Sequence, residues 1–139
     1  MIERVGRRGF LMVSCTGMGV CSFLMAVCYH WDLALAFKVA AIMGYIISFA
    51  LGVGPLPWLL GSEIFPSQIR SMAMALSTVV NWACSFLVTL FFDDMTMAMG
   101  QAGLFVFYGA ICILGTGFVF TMVPETRGKT LEEIEELFS

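Results

Sequence analysis

The residues best suited to chemistry in this sequence are two tryptophans and an amide. Trp58 directly follows a run of helix breakers, "GVGPLP" at 52 to 57, and the pair Asn81 and Trp82 comes 23 residues after it. An indole offers a flat apolar ring that stacks on C–H faces and one N–H that donates. An amide offers donors and acceptors together, which matches a neutral, hydroxyl-rich solute better than an ion. Each type also has a plainer use: tryptophan in the interfacial belt of a membrane protein, asparagine as a hydrogen-bonding link between helices. Asn81 is the only asparagine in the chain and His30 the only histidine. His30 lies at a loop edge beside Trp31 and Asp32, so histidine-based metal or acid/base chemistry lacks material. No nucleophile with a base and no metal-ligand spacing appears, so the expectation is a protein without metal or cofactor and not an enzyme.

The elements that must position these residues follow from composition. Hydrophobic residues make up 60% of the 139, charged residues 12%, and the mean hydropathy is +0.93. That leaves too little polar surface to cover a soluble core, and the chain reads as a membrane protein. Residues 9–31, 39–62, 71–92 and 95–124 carry no Asp, Glu, Lys or Arg. Each run reaches the roughly 20 residues a helix needs to cross the hydrocarbon layer. The expected fold is therefore an all-α integral membrane bundle with four transmembrane helices near 9–29, 36–60, 70–92 and 101–122. A signal peptide is the rival for the first run, which is longer than an h-region of roughly 7 to 15 residues. Cys15, Cys21, Cys28, Cys84 and Cys112 all fall inside the expected spans, where they serve as small packing residues.

Orientation follows from the basic residues. Arg4, Arg7, Arg8, Arg70, Arg127 and Lys129 fall on one side of the spans and only Lys38 on the other. The positive-inside rule then puts both termini in the cytosol, with His30, Asp32, Asp93 and Asp94 outside. The net charge of −3 says little about orientation, because acidic residues contribute weakly to the rule.

The second span is the anomaly. Pro55 and Pro57 each remove an amide donor and crowd the carbonyl four residues back, and Gly52 and Gly54 remove side-chain shielding beside them. In lipid the freed backbone groups find no water, so such a break is tolerated where it is buried in protein or lines a wet cavity. Discontinuous helices of this kind border substrate sites in secondary transporters, and a packing kink is the plainer alternative. No Asp, Glu, Lys or Arg lies deep in any span, which argues against a proton relay or ion site in these helices.

At the cytosolic face, Arg70 opens the third span, where a cation opposes the positive helix end and calls for an anionic partner. Glu3 and Glu63 are the acids on that face outside the C-terminal tail, and Arg4, Arg7 and Arg8 add complementary charge. Glu3, Arg7, Arg8, Glu63 and Arg70 are expected to form ion pairs that lock helix ends together in one conformation and part in another. Beyond Pro124, Thr130 and Glu133 form a capping box, with Leu131, Ile134 and Leu137 at helical spacing. This predicts a short amphipathic cytosolic helix packed against protein. The chain divides into a charged segment 1–8, a membrane region 9–122 and a cytosolic tail 123–139.

Four motifs stand in order: "ERVGRR" at 3–8, "GPLPWLLGSEIFPSQIR" at 54–70, "NW" at 81–82 and "VPETRGKTLEEIEELF" at 123–138. Together they resemble the sugar porter family of the major facilitator superfamily, which includes the facilitative glucose transporters. The resemblance covers essentially the whole chain, and the four spans resemble the last four of that family's twelve. It implies facilitated diffusion of a hexose by alternating access in a full-length protein. It also implies sugar contact by Trp58, Asn81 and Trp82, bending at Gly52, Gly54, Pro55 and Pro57, and a gate of charged residues at Glu3, Arg7, Arg8, Glu63 and Arg70. Some family members carry a glutamate eight residues before the tryptophan of the broken span; here that place is Ala50, which removes that polar contact.

Eight spans of the family pattern have no counterpart in these 139 residues, and alternating access needs two bundles about a central site. The chain therefore reads as a truncated form inactive alone, at the plasma membrane or an endomembrane. Its expected partners are a sugar, the lipid bilayer, and a missing N-terminal bundle or full-length transporter, with no nucleic acid. Two alternatives are a non-transporting subunit or isoform that regulates a full transporter, and a fragment of a proton-coupled sugar or polyol symporter.

Overall fold

The charge-free runs are helical in the computed structural model, which describes residues 6–123, the run 39–62 as two helices. The helices are α1 (Arg7–His30), α2 (Leu35–Leu51), α3 (Leu56–Ile64), α4 (Arg70–Leu90) and α5 (Phe92–Met122). Among the described residues there is no strand. Taken with α2 and α3 as one path, Leu35–Ile64, four helical stretches are long and apolar enough to cross a membrane. The chain is a multi-pass membrane protein of the all-α class. Glu3 and the expected tail helix with Thr130 and Glu133 lie outside the described residues.

Boundaries differ from those read in the sequence, and the first helix runs Arg7–His30 rather than 9–29. The expected span 36–60 is two helices parted by turns at residues 52–55, and its second part runs on to Ile64. The third ends at Leu90 rather than 92. The fourth begins at Phe92 rather than 101, because Asp93 and Asp94 sit in the first turn of a helix, where carboxylates suit the positive end of the macrodipole. Gly100, in the left-handed region at φ 71° and ψ 164°, then parts this opening segment from the rest of α5.

α1 is the centre of the bundle, packed along α5 on one side and α2 on the other. Its buried residues Leu11, Ser14, Met18, Ser22 and Met25 recur every three or four positions and so form one face. Lipid tails compete with apolar side chains for contact, so helices in a membrane gain most from close approach by small residues. The α1–α2 seam shows this at three successive turns. A Cβ on Gly17 would meet Ser48 Oγ at 2.6 Å, one on Gly44 would meet Cys21 Sγ at 2.9 Å, and one on Gly52 would meet Ser14 Cβ at 2.6 Å. On the α5 side, a Cβ on Gly109 would meet the Phe23 ring at 3.0 Å. A cluster of Leu11, Leu56, Leu60 and Val119 ties the start of α1, all of α3 and the end of α5 together. α4 stands apart: no residue on it is buried, and among the described helices it touches α3 and α5.

Candidate functional site

The break in the second path has a definite hydrogen-bonding pattern. The amides of Gly52 and Gly54 both turn to the carbonyl of Phe49, at 3.3 and 2.9 Å, which ends α2. α3 restarts with Leu56 N–H donating to Gly52 O at 2.9 Å, and Pro57 falls in its first turn, where a missing amide costs nothing. Pro55 is the N-cap of α3. Of the four breakers, Gly52 is buried, Gly54 half-buried, and Pro55 and Pro57 exposed.

Just beyond the break, α3 and α4 face each other across a cavity of about 520 Å³ that reaches α1 and α5. Pro57, Trp58 and Gly61 line it from α3, and Ser77 and Asn81 from α4. Ser77 and Asn81 are four apart and so share one face of α4. Trp58 is 38% exposed. Ser77 Oγ donates back to Ala73 O at 2.9 Å, which leaves its oxygen able to accept a further bond. The wall is otherwise apolar, with Cys15, Leu11, Phe65 and Met74 among the remaining side chains. Apolar rings with a few convergent amide and hydroxyl groups make a lining that can bind a neutral solute through stacking and hydrogen bonds.

The structure brings Trp58 and Asn81 to one cavity but not Trp82. Adjacent positions on a helix point about 100° apart, so the residue after Asn81 faces elsewhere. Trp82 is 68% exposed and does not line this cavity. Cys15 and Ser77 line it without having been singled out by the sequence. Their spacing carries no motif, and only the packing of α1 and α4 around α3 brings them there.

Among the described residues, the charged groups at the end of the bundle nearest Arg7 have both carboxylate and carbonyl partners. Arg7 Nη2 and Glu63 Oε1 form an ion pair at 2.7 Å that joins the start of α1 to the end of α3. Arg8 instead donates to the carbonyl of Phe120, with its guanidinium 5.1 Å from the centre of that residue's ring. Arg70 Nε donates to Phe65 O at 3.1 Å. Phe120 lies in the last turn of α5 and Phe65 is the C-cap of α3. Both carbonyls are among those a helix leaves without an intrahelical amide, and both sit at the negative end of the macrodipole. Arg8 and Arg70 therefore bind helix ends. Among the described members of the expected set, the ion pair is Arg7 with Glu63.

At the opposite end Lys38 Nζ bonds Asp32 Oδ1 at 2.9 Å and lies 4.8 Å from the centre of the Tyr29 ring. The hydrogen bond from Lys38, followed by its positive charge, holds the Asp32 carboxyl below the usual carboxylate range.

The family described as "Sugar (and other) transporter" matches residues 1–138. A relative in Drosophila erecta, named facilitated trehalose transporter Tret1, is 41% identical over 147 residues, covering 97% of this chain and 17% of its own length. A protein of the same name in Polypedilum vanderplanki is 39% identical, with 97% of this chain and 28% of its own length covered. Among solved structures, the proton:xylose symporter XylE of the major facilitator superfamily, bound to 6-bromo-6-deoxy-D-glucose, superposes with a TM-score of 0.90 at 28% identity. That superposition covers all of this chain and 30% of XylE. The chain thus spans less than a third of the length of these relatives.

Proposed function

The chain belongs to the sugar transporter family, within the major facilitator superfamily, and on that premise we propose that it forms the C-terminal part of a membrane carrier for a neutral sugar. The observation that carries this reading is the cavity beside the broken span, which Trp58 and Asn81 both line. Trp58 stacks on the C–H face of the sugar and Asn81 exchanges hydrogen bonds with its hydroxyls. Trp82, one position on, meets the solute where a second bundle closes over α4. The break at Gly52, Gly54, Pro55 and Pro57 lets the path bend, and Glu3, Arg7, Arg8, Glu63 and Arg70 hold the cytosolic helix ends together in one of the two states.

In this reading the activity belongs to a complete two-bundle carrier, and the four spans alone pass no sugar. Both termini lie in the cytosol, by the excess of arginine on that side. The cargo is a hexose carried by facilitated diffusion. A second reading is the disaccharide trehalose, favoured by the names of the relatives at about 40% identity. A third is proton coupling, as in the proton:xylose symporter XylE. Uptake of labelled glucose and trehalose by a complete carrier ending in this chain, with and without a pH gradient, separates the three. In the same assay Trp58→Ala is expected to lower uptake of the preferred sugar about tenfold or more, the scale of losing one well-stacked aromatic contact. Unchanged uptake removes Trp58 from the site.

A further inference from the structure

A helix interrupted inside a membrane leaves polar backbone groups that water cannot reach. Two of the groups left here face α1. In an unbroken helix Ser48 O would accept from the amide of Gly52, and Phe49 O from that of Val53. Gly52 and Gly54 both donate to Phe49 O instead, so Ser48 O and Val53 N–H are left over. Both are taken up by one side chain on a different helix. Ser14 Oγ, on α1, donates to Ser48 O and accepts from Val53 N–H at 2.9 Å. Ser14 is 1% exposed, so no solvent stands in for either bond. A hydroxyl supplies one donor and two acceptor positions, and this one closes both ends of the break.

We propose that Ser14 is a positioning residue for the cavity: by bridging the two open ends of the interrupted path, it fixes the start of α3, and with it Trp58, against α1. The surrounding contacts make the placement specific. A Cβ on Gly52 would lie 2.6 Å from Ser14 Cβ and 2.8 Å from Phe10 O, so α1 and the break are already at closest approach. Leu56 begins α3 three residues after Val53 and is 1% exposed, packed with Leu11 and Val119. Trp58 follows two residues later. The chain between the Ser14 bond and the cavity wall is therefore too short and too well packed to absorb a displacement of Val53.

The structural part of this inference stands without any cargo; its functional part rests on the sugar site proposed above. The structural test is amide exchange of the chain in lipid nanodiscs. Ser14→Ala is expected to speed exchange at Val53 on the order of tenfold, the factor for one lost buried hydrogen bond, with amides of α5 near Leu104 unchanged. Ser14→Cys retains a weaker donor and acceptor and should fall between, which keeps the test available if the alanine variant does not fold. Val53 exchange as slow as in the native chain, in whichever variant folds, overturns the proposal. In a complete carrier, Ser14→Ala should raise the sugar KM several-fold with little change in kcat, as expected when a binding group is misplaced. Unchanged KM alongside a damaging Trp58→Ala overturns the positioning role alone. A harmless Trp58→Ala alongside fast Val53 exchange overturns the sugar site and leaves the bridge standing.

Discussion

Gly52→Ala puts the packing of the broken path under a defined load. Gly52 has φ −146°, outside the left-handed region that favours glycine. The effect comes from space. The new methyl would lie 2.6 Å from Ser14 Cβ and 2.8 Å from Phe10 O, where ordinary contact begins near 3.4 Å. Neither neighbour is the free end of a flexible side chain, so α2 must retreat from α1 by roughly 0.8 Å. Overpacking of this kind costs about 1–3 kcal/mol, and the retreat also stretches the bonds from Ser14 to Ser48 O and Val53 N–H. The control is Gly117→Ala in α5, where a Cβ meets nothing within 4 Å. There alanine should be neutral or stabilise the helix by up to about 1 kcal/mol. Unfolding in detergent micelles, followed by tryptophan fluorescence, reads both. The expected result is an equilibrium shifted about tenfold or more toward unfolding for Gly52→Ala and not for Gly117→Ala. Equal stability of the two variants would refute the account of the seam.

Three further outcomes follow from other parts of the molecule. A double-mutant cycle on Arg7→Ala and Glu63→Ala should give a coupling of about 1 kcal/mol or less, because both side chains keep about a quarter of their exposure and solvent screens the pair; a coupling of zero in low salt would remove the ion pair as a link between α1 and α3. Gly100→Ala should destabilise by about 1 kcal/mol although a Cβ there meets no neighbour, since φ 71° is left-handed and disfavours any other residue, and thermal unfolding of the variant in micelles measures it. Asp32 should titrate below an ordinary aspartate. A depressed carboxyl contributes stability above its unfolded pKa and loses it as pH falls through the folded value, so the contact with Lys38 should persist at pH 5 and part only in stronger acid, as followed by the Asp32 carboxyl carbon in NMR.

The spans could be read from the sequence because charge is expelled from hydrocarbon whatever the neighbours do, and the runs without Asp, Glu, Lys or Arg correspond to the helices. The breakers at 52–57 were visible for a similar reason: proline and glycine act on their own backbone. Features that depend on a second helix were not visible. Ser14 looks like any small residue of a membrane span until α1 is laid against the break. The three glycine contacts of the α1–α2 seam likewise need both helices in register. Arg8 and Arg70 show in a sequence as charges, while the helix-end carbonyls that accept from them here are not displayed there. Trp82 looked equivalent to Asn81 as a neighbour in sequence, yet one step along a helix turns a side chain by about 100°. Gly100 reads as one more glycine before a span, and only the helical course of Phe92–Met99 shows it as a joint.

The central claim is that the cavity between α3 and α4 receives the sugar, and protection of Asn81 tests it most directly. In a complete carrier whose native cysteines are replaced, Asn81→Cys is treated with a small polar thiol reagent in the presence and absence of sugar. The account predicts labelling that the transported sugar slows several-fold and a sugar that is not transported leaves unchanged. Failure of the reagent to reach this position, or labelling indifferent to the transported sugar, would contradict it.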